Sequence, residues 1–482
     1  MENDLKRNVI RGLFWKFMEK GGTQGIQFII QIILARLLSP NDYGIIALIT
    51  VFIAIANIFV ESGFGQSLIQ KSIVDDVDYS SVFYFNLIIA SILYVILFIT
   101  APLIAKFYSI PILYLVLRVQ SITLFFGAFN AVQIAHVQRD MNFKKIFMTS
   151  LGGIIAQGVV GVLMAYHGYG VWALVLSTLS NNFIMTIILW IVVDWKPKLL
   201  FSYKRLKSMF HFGSRLLISS LIDTIYTNIY SLTIGRLYDQ KALGYYNRGQ
   251  NIPNILVINI DGSIQSVLFP ALSAEQNDRY KLKKLTRRSI VTSTFLIFPV
   301  MIGLAVCAKP LTIMLLTEKW LPSVPFMQLS CIAFAFYPIH TSNLQAINAM
   351  GRSDIFLKLE IIKKILGILI LIVSIPFGIY ALVTGSVIVS ILSMIINSWP
   401  NKKLLNYSFV EQVKDMIPSM ALSIIMGAIV YCISFLNLSI WFTLIFQIIV
   451  GIIVYIGGAK LLKLECFGYL IITVKEFCKM RR

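Results

Sequence analysis

ARLLSPNDYG (Ala35–Gly44) and GRLYDQKALG (Gly235–Gly244) stand 200 residues apart in one chain, sharing Arg, Leu and the closing Gly. Two further echoes follow in the same order. Gln66-Ser-Leu returns as Gln265-Ser-Val at an offset of 199, and YGVWALV (Tyr169–Val175) returns as FGIYALV (Phe377–Val383) at an offset of 208. Three ordered matches at a nearly constant offset point to a duplicated unit of about 200 residues. Each copy then opens with a helical hairpin, and the quoted stretches are its turns. Pro40 cannot continue a helix, and Asn41-Asp42 favours a turn. Gly44 and Gly244 can relieve crowding where the second helix of each hairpin starts.

Composition says where such a duplication sits. Of 482 residues, 57% are hydrophobic and 13% charged, with a mean hydropathy of +0.80. A soluble domain carries about 25% charged residues, so this is a polytopic membrane protein. The net charge of +20 does not point to nucleic acid, because the basic residues fall in short breaks between apolar runs rather than on one face. The N-terminus is basic but lacks a compact apolar core with a small-residue cleavage site, and reads as a retained cytoplasmic end.

A membrane helix needs about 20 mainly apolar residues. On that criterion about fourteen spans are expected. The first six lie roughly at 14–38, 43–65, 81–105, 112–135, 146–166 and 170–193. Six more lie roughly at 211–235, 250–273, 289–308, 325–348, 359–377 and 379–399, and the last two at roughly 416–436 and 439–461. With the N-terminus inside, alternate gaps are basic. Inside segments hold Lys144 and Lys145, then Lys196, Lys198, Lys204 and Arg205, then Arg287 and Arg288. Outside gaps hold only Arg36, Lys106, Arg236, Lys241, Arg248, Lys309 and Lys319. In the first inside gap Lys71 faces Asp75, Asp76 and Asp78.

The expected fold is therefore all-α: two six-helix halves, residues 1–200 and 201–400, followed by two C-terminal helices and a basic tail over 401–482. Six is even, so the halves are parallel repeats related by an axis along the membrane normal. Repeats of this kind build transporters with a site between the halves and alternating access. Arg36 and Arg236, in the two echoed turns, then admit two readings: plain turn residues, or the lining of an outer gate.

ARLLSPNDYGIIALITVFIAIANIFVESGFGQSLIQ (Ala35–Gln70) resembles the start of Wzx-type polysaccharide flippases. These belong to the multidrug/oligosaccharidyl-lipid/polysaccharide exporter superfamily, and the likeness is to the branch that includes the colanic acid exporter. The resemblance extends over essentially the whole chain. It implies a MATE-like fold in a bacterial inner membrane and translocation of undecaprenyl-diphosphate-linked oligosaccharide repeat units. It also implies polysaccharide polymerase or assembly proteins as partners, with membrane lipid and the lipid-linked oligosaccharide in contact with the protein.

Ionisable residues within spans cost about 2.5–3.5 kcal/mol at a helix centre on insertion scales and mark functional candidates. The first span offers Lys16, Glu19 and Lys20, three and four residues apart on one face. They form either a basic entrance for a diphosphate headgroup or an interfacial snorkel. Gly21, Gly22 and Gly25 follow and permit bending or close packing. Glu61 lies near the inner end of span two, Arg118 in span four, and Arg215 and Asp223 in span seven. Span eight adds Asn254 and Asp261. Together these nine residues are the expected substrate cavity. A coupling proton or sodium ion is a further reading for Asp223 and Asp261. For each amide in the spans, interhelical hydrogen bonding is the alternative.

The chain carries no GxxxxGK[ST] and no HExxH, and no metal or organic cofactor is expected. Asp76-Val-Asp78 matches D-x-D but sits in a short gap, where a solvated acidic loop is expected. Cys307, Cys331, Cys432, Cys466 and Cys478 show no zinc or redox spacing and read as small buried hydrophobes. Two rival functions remain open: a multidrug/cation antiporter of the same superfamily, and a membrane glycan polymerase or ligase. The short outer gaps argue against an enzyme.

Overall fold

The computed structural model describes residues 2–61, 64–71, 73–436 and 438–469, with the side chains of residues 2–14, 16–20, 211–213 and 215 set aside. Among the described residues all regular structure is helical, and eleven segments are long and apolar enough to cross a membrane. The chain forms two compact units, Met1–Gly244 and Tyr245–Arg482.

The first unit contains α1 (Glu2–Leu37), α2 (Pro40–Glu61), α3 (Phe64–Gln70) and α4 (Asp76–Tyr108). It continues with α5 (Leu113–Gln120), α6 (Thr123–Arg139), α7 (Phe143–Tyr166), α8 (Val171–Val192) and α9 (Tyr203–Leu237), and takes in the start of α10 (Gln240–Ala274). α7 packs along α8 and α1, while α2 packs against α4, α6, α8 and α9. Lipid gives apolar helices no hydrophobic reason to associate, so close backbone approach through small residues carries the packing. At Gly153 of α7 an added Cβ would meet Asn181 Oδ1 of α8 at 2.2 Å. The region expected as one span over 112–135 is one membrane-length segment, Leu113–Arg139, made of two helices. Around Ser121 the backbone switches to tighter i→i+3 bonds, with Leu124 N–H donating to Ser121 O and Phe125 N–H to Ile122 O.

The two echoed turns are built alike. Ser39 donates from its backbone N to Asp42 Oδ2 at 2.9 Å, and Asp42 N donates back to Ser39 Oγ at 3.3 Å, a reciprocal cap for α2. Pro40 fits here because a first-turn N–H has no helical partner to lose. At the second turn Asp239 Oδ1 accepts from Ala242 N at 2.6 Å. The turns also touch. A Cβ on Gly44 would lie 1.7 Å from the Gln240 carbonyl oxygen, and one on Gly244 would lie 2.0 Å from the Pro40 carbonyl oxygen. Pro40 and Gln240 are themselves equivalent, each opening its helix. The contact is thus reciprocal. Glycine is required at both positions because backbone, not a movable side chain, fills the space.

At the other end of α2 the ties are ionic. The linker Val193–Ser202 runs along the start of α4. Trp195 Nε1 donates to Asp76 Oδ1 at 3.0 Å, Lys198 Nζ lies 2.6 Å from Asp76 Oδ2, and Arg205 pairs with Asp75. Asp78 is 1% exposed and pairs with Lys71 at 2.6 Å. The D-x-D segment is therefore not a free acidic loop: it is where the linker is fastened, and Asp78 is buried there. The Arg205 guanidinium beside Asp75 holds that carboxyl below the usual carboxylate range.

The second unit holds the rest of α10 with α11 (Arg279–Val306), α12 (Ala308–Leu316), α13 (Val324–Ala335), α14 (Tyr337–Ala349), α15 (Ser353–Ser374) and α16 (Ile379–Ser398). It ends with α17 (Asn401–Leu404), α18 (Phe409–Cys432) and α19 (Ile440–Leu461). The expected span over 325–348 is again two helices, with Pro338 in the first turn of α14. α18 packs on α11 and α19 on α12. Arg287 fastens this end, reaching Asp415 and Glu465 at 3.0 Å each. A buried amide triad locks α14, α17 and α18: Asn343 and Gln412 exchange hydrogen bonds at 2.9 and 3.0 Å, and Asn401 Nδ2 donates to Asn343 Oδ1 at 2.7 Å. Cys307, Cys331 and Cys466 are buried as expected, whereas Cys432 is exposed and Cys478 lies outside the described residues.

Candidate functional site

The first unit contains a cavity of about 650 Å³, within the range of about 300–1,000 Å³ usual for ligand pockets. One stripe of α2 forms its longest wall: Ile46, Ile49, Thr50, Ile53, Asn57 and Glu61, spaced three and four apart so that they share a helix face. α6 supplies Thr123, Gly127, Asn130 and Gln138 by the same spacing, and α8 supplies Thr178, Asn182 and Met185. Gln66 of α3, Gln120 of α5, and Leu216, Leu217 and Ser220 of α9 complete it. Gly127 leaves room for Asn57, whose Oδ1 would lie 3.4 Å from a Cβ there.

Several polar groups of the wall are already hydrogen-bonded. Thr50 Oγ1 donates to Ile46 O at 2.8 Å, Thr178 Oγ1 to Leu174 O at 2.9 Å, and Thr123 Oγ1 to Gln120 O at 2.7 Å. Asn182 Nδ2 donates to Thr178 O at 3.0 Å, and Asn130 Nδ2 to Thr186 Oγ1 at 2.9 Å. A hydroxyl whose only hydrogen is engaged offers a ligand nothing but lone pairs. Glu61 is the one charged group among the described lining residues, and they include no aromatic ring. Aliphatic side chains take the place of the aromatic faces expected for sugar rings.

Of the five expected cavity residues whose side chains are described, Glu61 alone is among the lining residues of this cavity. Arg118 is not: its Nε donates to Phe98 O at 3.0 Å and its guanidinium lies 4.0 Å over the Phe98 ring. The aromatic face and the carbonyl of α4 draw the cation away from the cavity. Asp223 is exposed on α9 and is not among the lining residues. In the second unit Asn254 is exposed, while Asp261 is 4% exposed and accepts from Thr341 Oγ1 at 2.7 Å and Gln265 Nε2 at 3.3 Å. The side chains of Lys16, Glu19, Lys20 and Arg215 lie outside the described residues. Of the expected gate pair, Arg36 is exposed at the last turn of α1, and Arg236 rests 4.7 Å over the Phe107 ring. Sequence reading missed Asn57, Gln120, Asn130, Gln138, Thr178 and Asn182. Their signal was present as polar residues recurring at helical spacing inside apolar spans.

α2 and α9 therefore meet closely at one end and border a polar cavity at the other. At the turn end Leu48 Cδ2 would lie 2.5 Å from a Cβ on Gly235, whereas at the far end both helices face the cavity.

Known proteins share this architecture. The lipid II flippase MurJ, in an inward closed conformation, superposes with a TM-score of 0.78 at 16% identity, covering 93% of this chain and 98% of that one. An inward-facing multidrug resistance MATE family transporter gives 0.64 at 15% identity over 82% and 95%. Identities this low speak for the fold alone. Among curated relatives, the succinoglycan biosynthesis transport protein ExoT of Rhizobium meliloti (strain 1021) is 25% identical over 362 residues, 74% of this chain and 73% of the relative. The lipopolysaccharide biosynthesis protein WzxC of Escherichia coli (strain K12) is 23% identical over 366 residues, 76% and 74%. The family described as polysaccharide biosynthesis protein matches residues 33–325, more than half of this multi-pass membrane chain, and the protein belongs to that family.

Proposed function

We propose that the chain is a flippase that carries undecaprenyl-diphosphate-linked oligosaccharide repeat units across the bacterial inner membrane for surface polysaccharide assembly. One observation carries the proposal: α2 is closed against the start of α10 by backbone contact and against Gly235 of α9 by Leu48 at the turn end, and at its other end α2 borders an amide- and hydroxyl-lined cavity with α9. A closed helix end with a cavity at the opposite end is what alternating access requires of one of its states. Family membership and the names of the relatives support the substrate class. On this reading there are fourteen spans, two six-helix halves rock against each other, both termini are cytoplasmic, and the two C-terminal helices flank the second half. The paired turns, with Arg36 and Arg236 beside them, form the outer gate. A coupling proton or sodium ion would be held at Asp223 or Asp261. The protein catalyses no covalent step, and it hands its cargo to polymerase and assembly proteins.

The test uses a deletion strain. Lipid-linked oligosaccharides are extracted, and their leaflet is assigned with a glycan-modifying reagent added from outside. Accumulation of complete repeat units protected on the inside is the expected result. Intact surface glycan with no accumulation would sink the proposal. That outcome would favour the multidrug/cation antiporter, to which the single carboxylate Glu61 in an otherwise uncharged set of described lining residues also fits. Drug sensitivity of the deletion strain would then be measured.

A further inference from the structure

The linker between α8 and α9 is held firmly from one side and left bare on the other. On the held side Trp195 is buried in one core with Leu206 and Met209. Lys198 N and Ser202 N donate to Ser80 Oγ and Ser81 Oγ at 3.0 and 2.8 Å, and Asp76 and Asp75 pair with Lys198 and Arg205. The bare side carries apolar and aromatic residues. Leu199 is 94% exposed, Tyr203 72% and Phe201 55%, and Leu200 and Phe210 are exposed with them. In the first turns of α9 the division follows the helix. Tyr203, Lys207 and Phe210, four and three residues apart, share the exposed face, while Leu206 and Met209 are buried. A run of large apolar side chains fixed from behind and facing outward marks a contact surface.

The chemistry of the patch selects its partner. From Leu199 to Phe210 the chain has three basic residues, Lys204, Arg205 and Lys207, and no acidic one. Arg205 pairs with Asp75, whereas Lys204 and Lys207 are exposed and enter no ion pair among the described residues. The patch also lies beside lipid. The membrane-length helix α8 ends at Val192, just before the linker, and the span expected in α9 starts just after Phe210. Aromatic rings with flanking lysines settle at the lipid–water boundary, rings and methylene stems among the acyl chains and ammonium groups among the headgroups. Each lysine near an anionic surface strengthens binding about fivefold. A protein partner would have to displace headgroups already next to these residues.

We infer that the α8–α9 linker is an interfacial anchor: Leu199, Phe201 and Tyr203 enter the membrane surface, and Lys204 and Lys207 bind anionic phospholipid headgroups there. Such an anchor needs a membrane-spanning chain and no particular cargo. It holds the start of α9, the helix that continues to Leu216, Leu217 and Ser220 in the cavity wall.

The experiment places a nitroxide on Phe201→Cys in the full-length protein carrying Cys432→Ala and Cys478→Ala. The nanodiscs are of phosphatidylcholine alone or of equal parts phosphatidylcholine and phosphatidylglycerol. Power saturation compares collisions with oxygen, which enters lipid, and with a neutral water-soluble nickel chelate. In the mixed discs oxygen should be the more frequent partner, with an oxygen-to-nickel ratio about threefold or more above that in phosphatidylcholine alone. Lys204→Gln combined with Lys207→Gln should bring the two compositions to within about 1.5-fold in a protein that melts like the parent. Raised salt should do the same without any substitution. A site that meets the nickel chelate more often in both discs overturns the inference. So does an oxygen preference that ignores lipid charge and the two lysines. Nickel access in discs that is lost in native membrane vesicles also overturns it, in favour of a protein partner. No glycan enters the measurement, so each of these results leaves the flippase reading standing.

Discussion

The two ends of α2 are built from opposite materials. At Pro40–Gly44 the contact is backbone on backbone, with Gly44 against Gln240 and Gly244 against Pro40, and no room for a methyl group at either glycine. At Asn57–Glu61 the same helix borders open space lined by polar side chains, and the nearby linker is held by ion pairs through Asp75, Asp76 and Asp78. A steric contact is all-or-none and indifferent to salt. An ionic one is graded and screened. The difference teaches which end is set by shape and which end is free to respond to a ligand.

The comparison breaks first at the glycines. Overpacking a filled site costs about 1–3 kcal/mol and occasionally more. At Gly44 the obstacle is a carbonyl oxygen that no rotamer change can move, so Gly44→Ala and Gly244→Ala should each cost about 3 kcal/mol or more. The change would be seen as a large fall in melting temperature or as loss of folded protein. If either alanine variant melts like the parent, the turns are not in contact and the closed end is misread. Gly235→Ala meets only the far end of the Leu48 side chain and should cost about 1 kcal/mol. Leu48→Ala in the same protein should then cost less than it does alone, because the two changes share one space.

Open positions should behave in the other sense. Gly25 in α1 has nothing within 4 Å of an added Cβ, so Gly25→Ala should be neutral or gain about 0.5–1 kcal/mol of helix stability. That outcome would also separate Gly25 from the close-packing role its sequence context suggested. Asn57→Ala in the cavity wall should move stability by no more than about 0.5 kcal/mol while reducing export of lipid-linked glycan in cells. Loss of stability without loss of export would recast Asn57 as a packing residue.

Much of the architecture was legible because its signals are long. The all-helical membrane-spanning character was read from span length, which integrates over many residues. The breaks near Ser121 and Phe336 were not, since a helix that tightens for one turn keeps its apolar composition. The reciprocal glycine contact was half legible. Glycine recurred in register, but only coordinates show that each glycine faces the other copy's first residue. The site was read through its charges, and among the described ones Glu61 alone lines this cavity. Arg118 is charged and intramembrane, yet the Phe98 ring and carbonyl turn it away from the cavity. Asn57, Asn130 and Asn182 are neutral, and an amide in a membrane helix reads equally well as interhelical bonding. In the second unit Asn343, Gln412 and Asn401 hydrogen-bond one another, although Asn401 Oδ1 is left over. Residue type alone cannot separate amides that close a core from amides that line a void.

The smallest expected effect tests the ionic end. Arg205 holds the Asp75 carboxyl below its usual range. A carboxylate whose folded value is depressed contributes stability above its unfolded value, near 4, and loses it as pH falls through the folded value. The Asp75–Arg205 tie should therefore be constant from pH 8 to about pH 5 and weaken only below about pH 4. Because Asp75 is about half exposed (48%), solvent screens the pair and the change in global stability should be slight. The linker itself should report it. Leu199 is 94% exposed, so a nitroxide on Leu199→Cys, in a background with Cys432→Ala and Cys478→Ala that removes the exposed thiol among the described residues and the one outside them, can follow local mobility. Mobility should rise on acidification below pH 4 and on raising salt at neutral pH. Asp75→Asn should show the raised mobility at every pH. A linker whose mobility ignores pH, salt and Asp75→Asn alike would mean that the hydrogen bonds from Lys198 N to Ser80 and from Ser202 N to Ser81 hold it unaided. Both ends of α2 would then be fixed by shape.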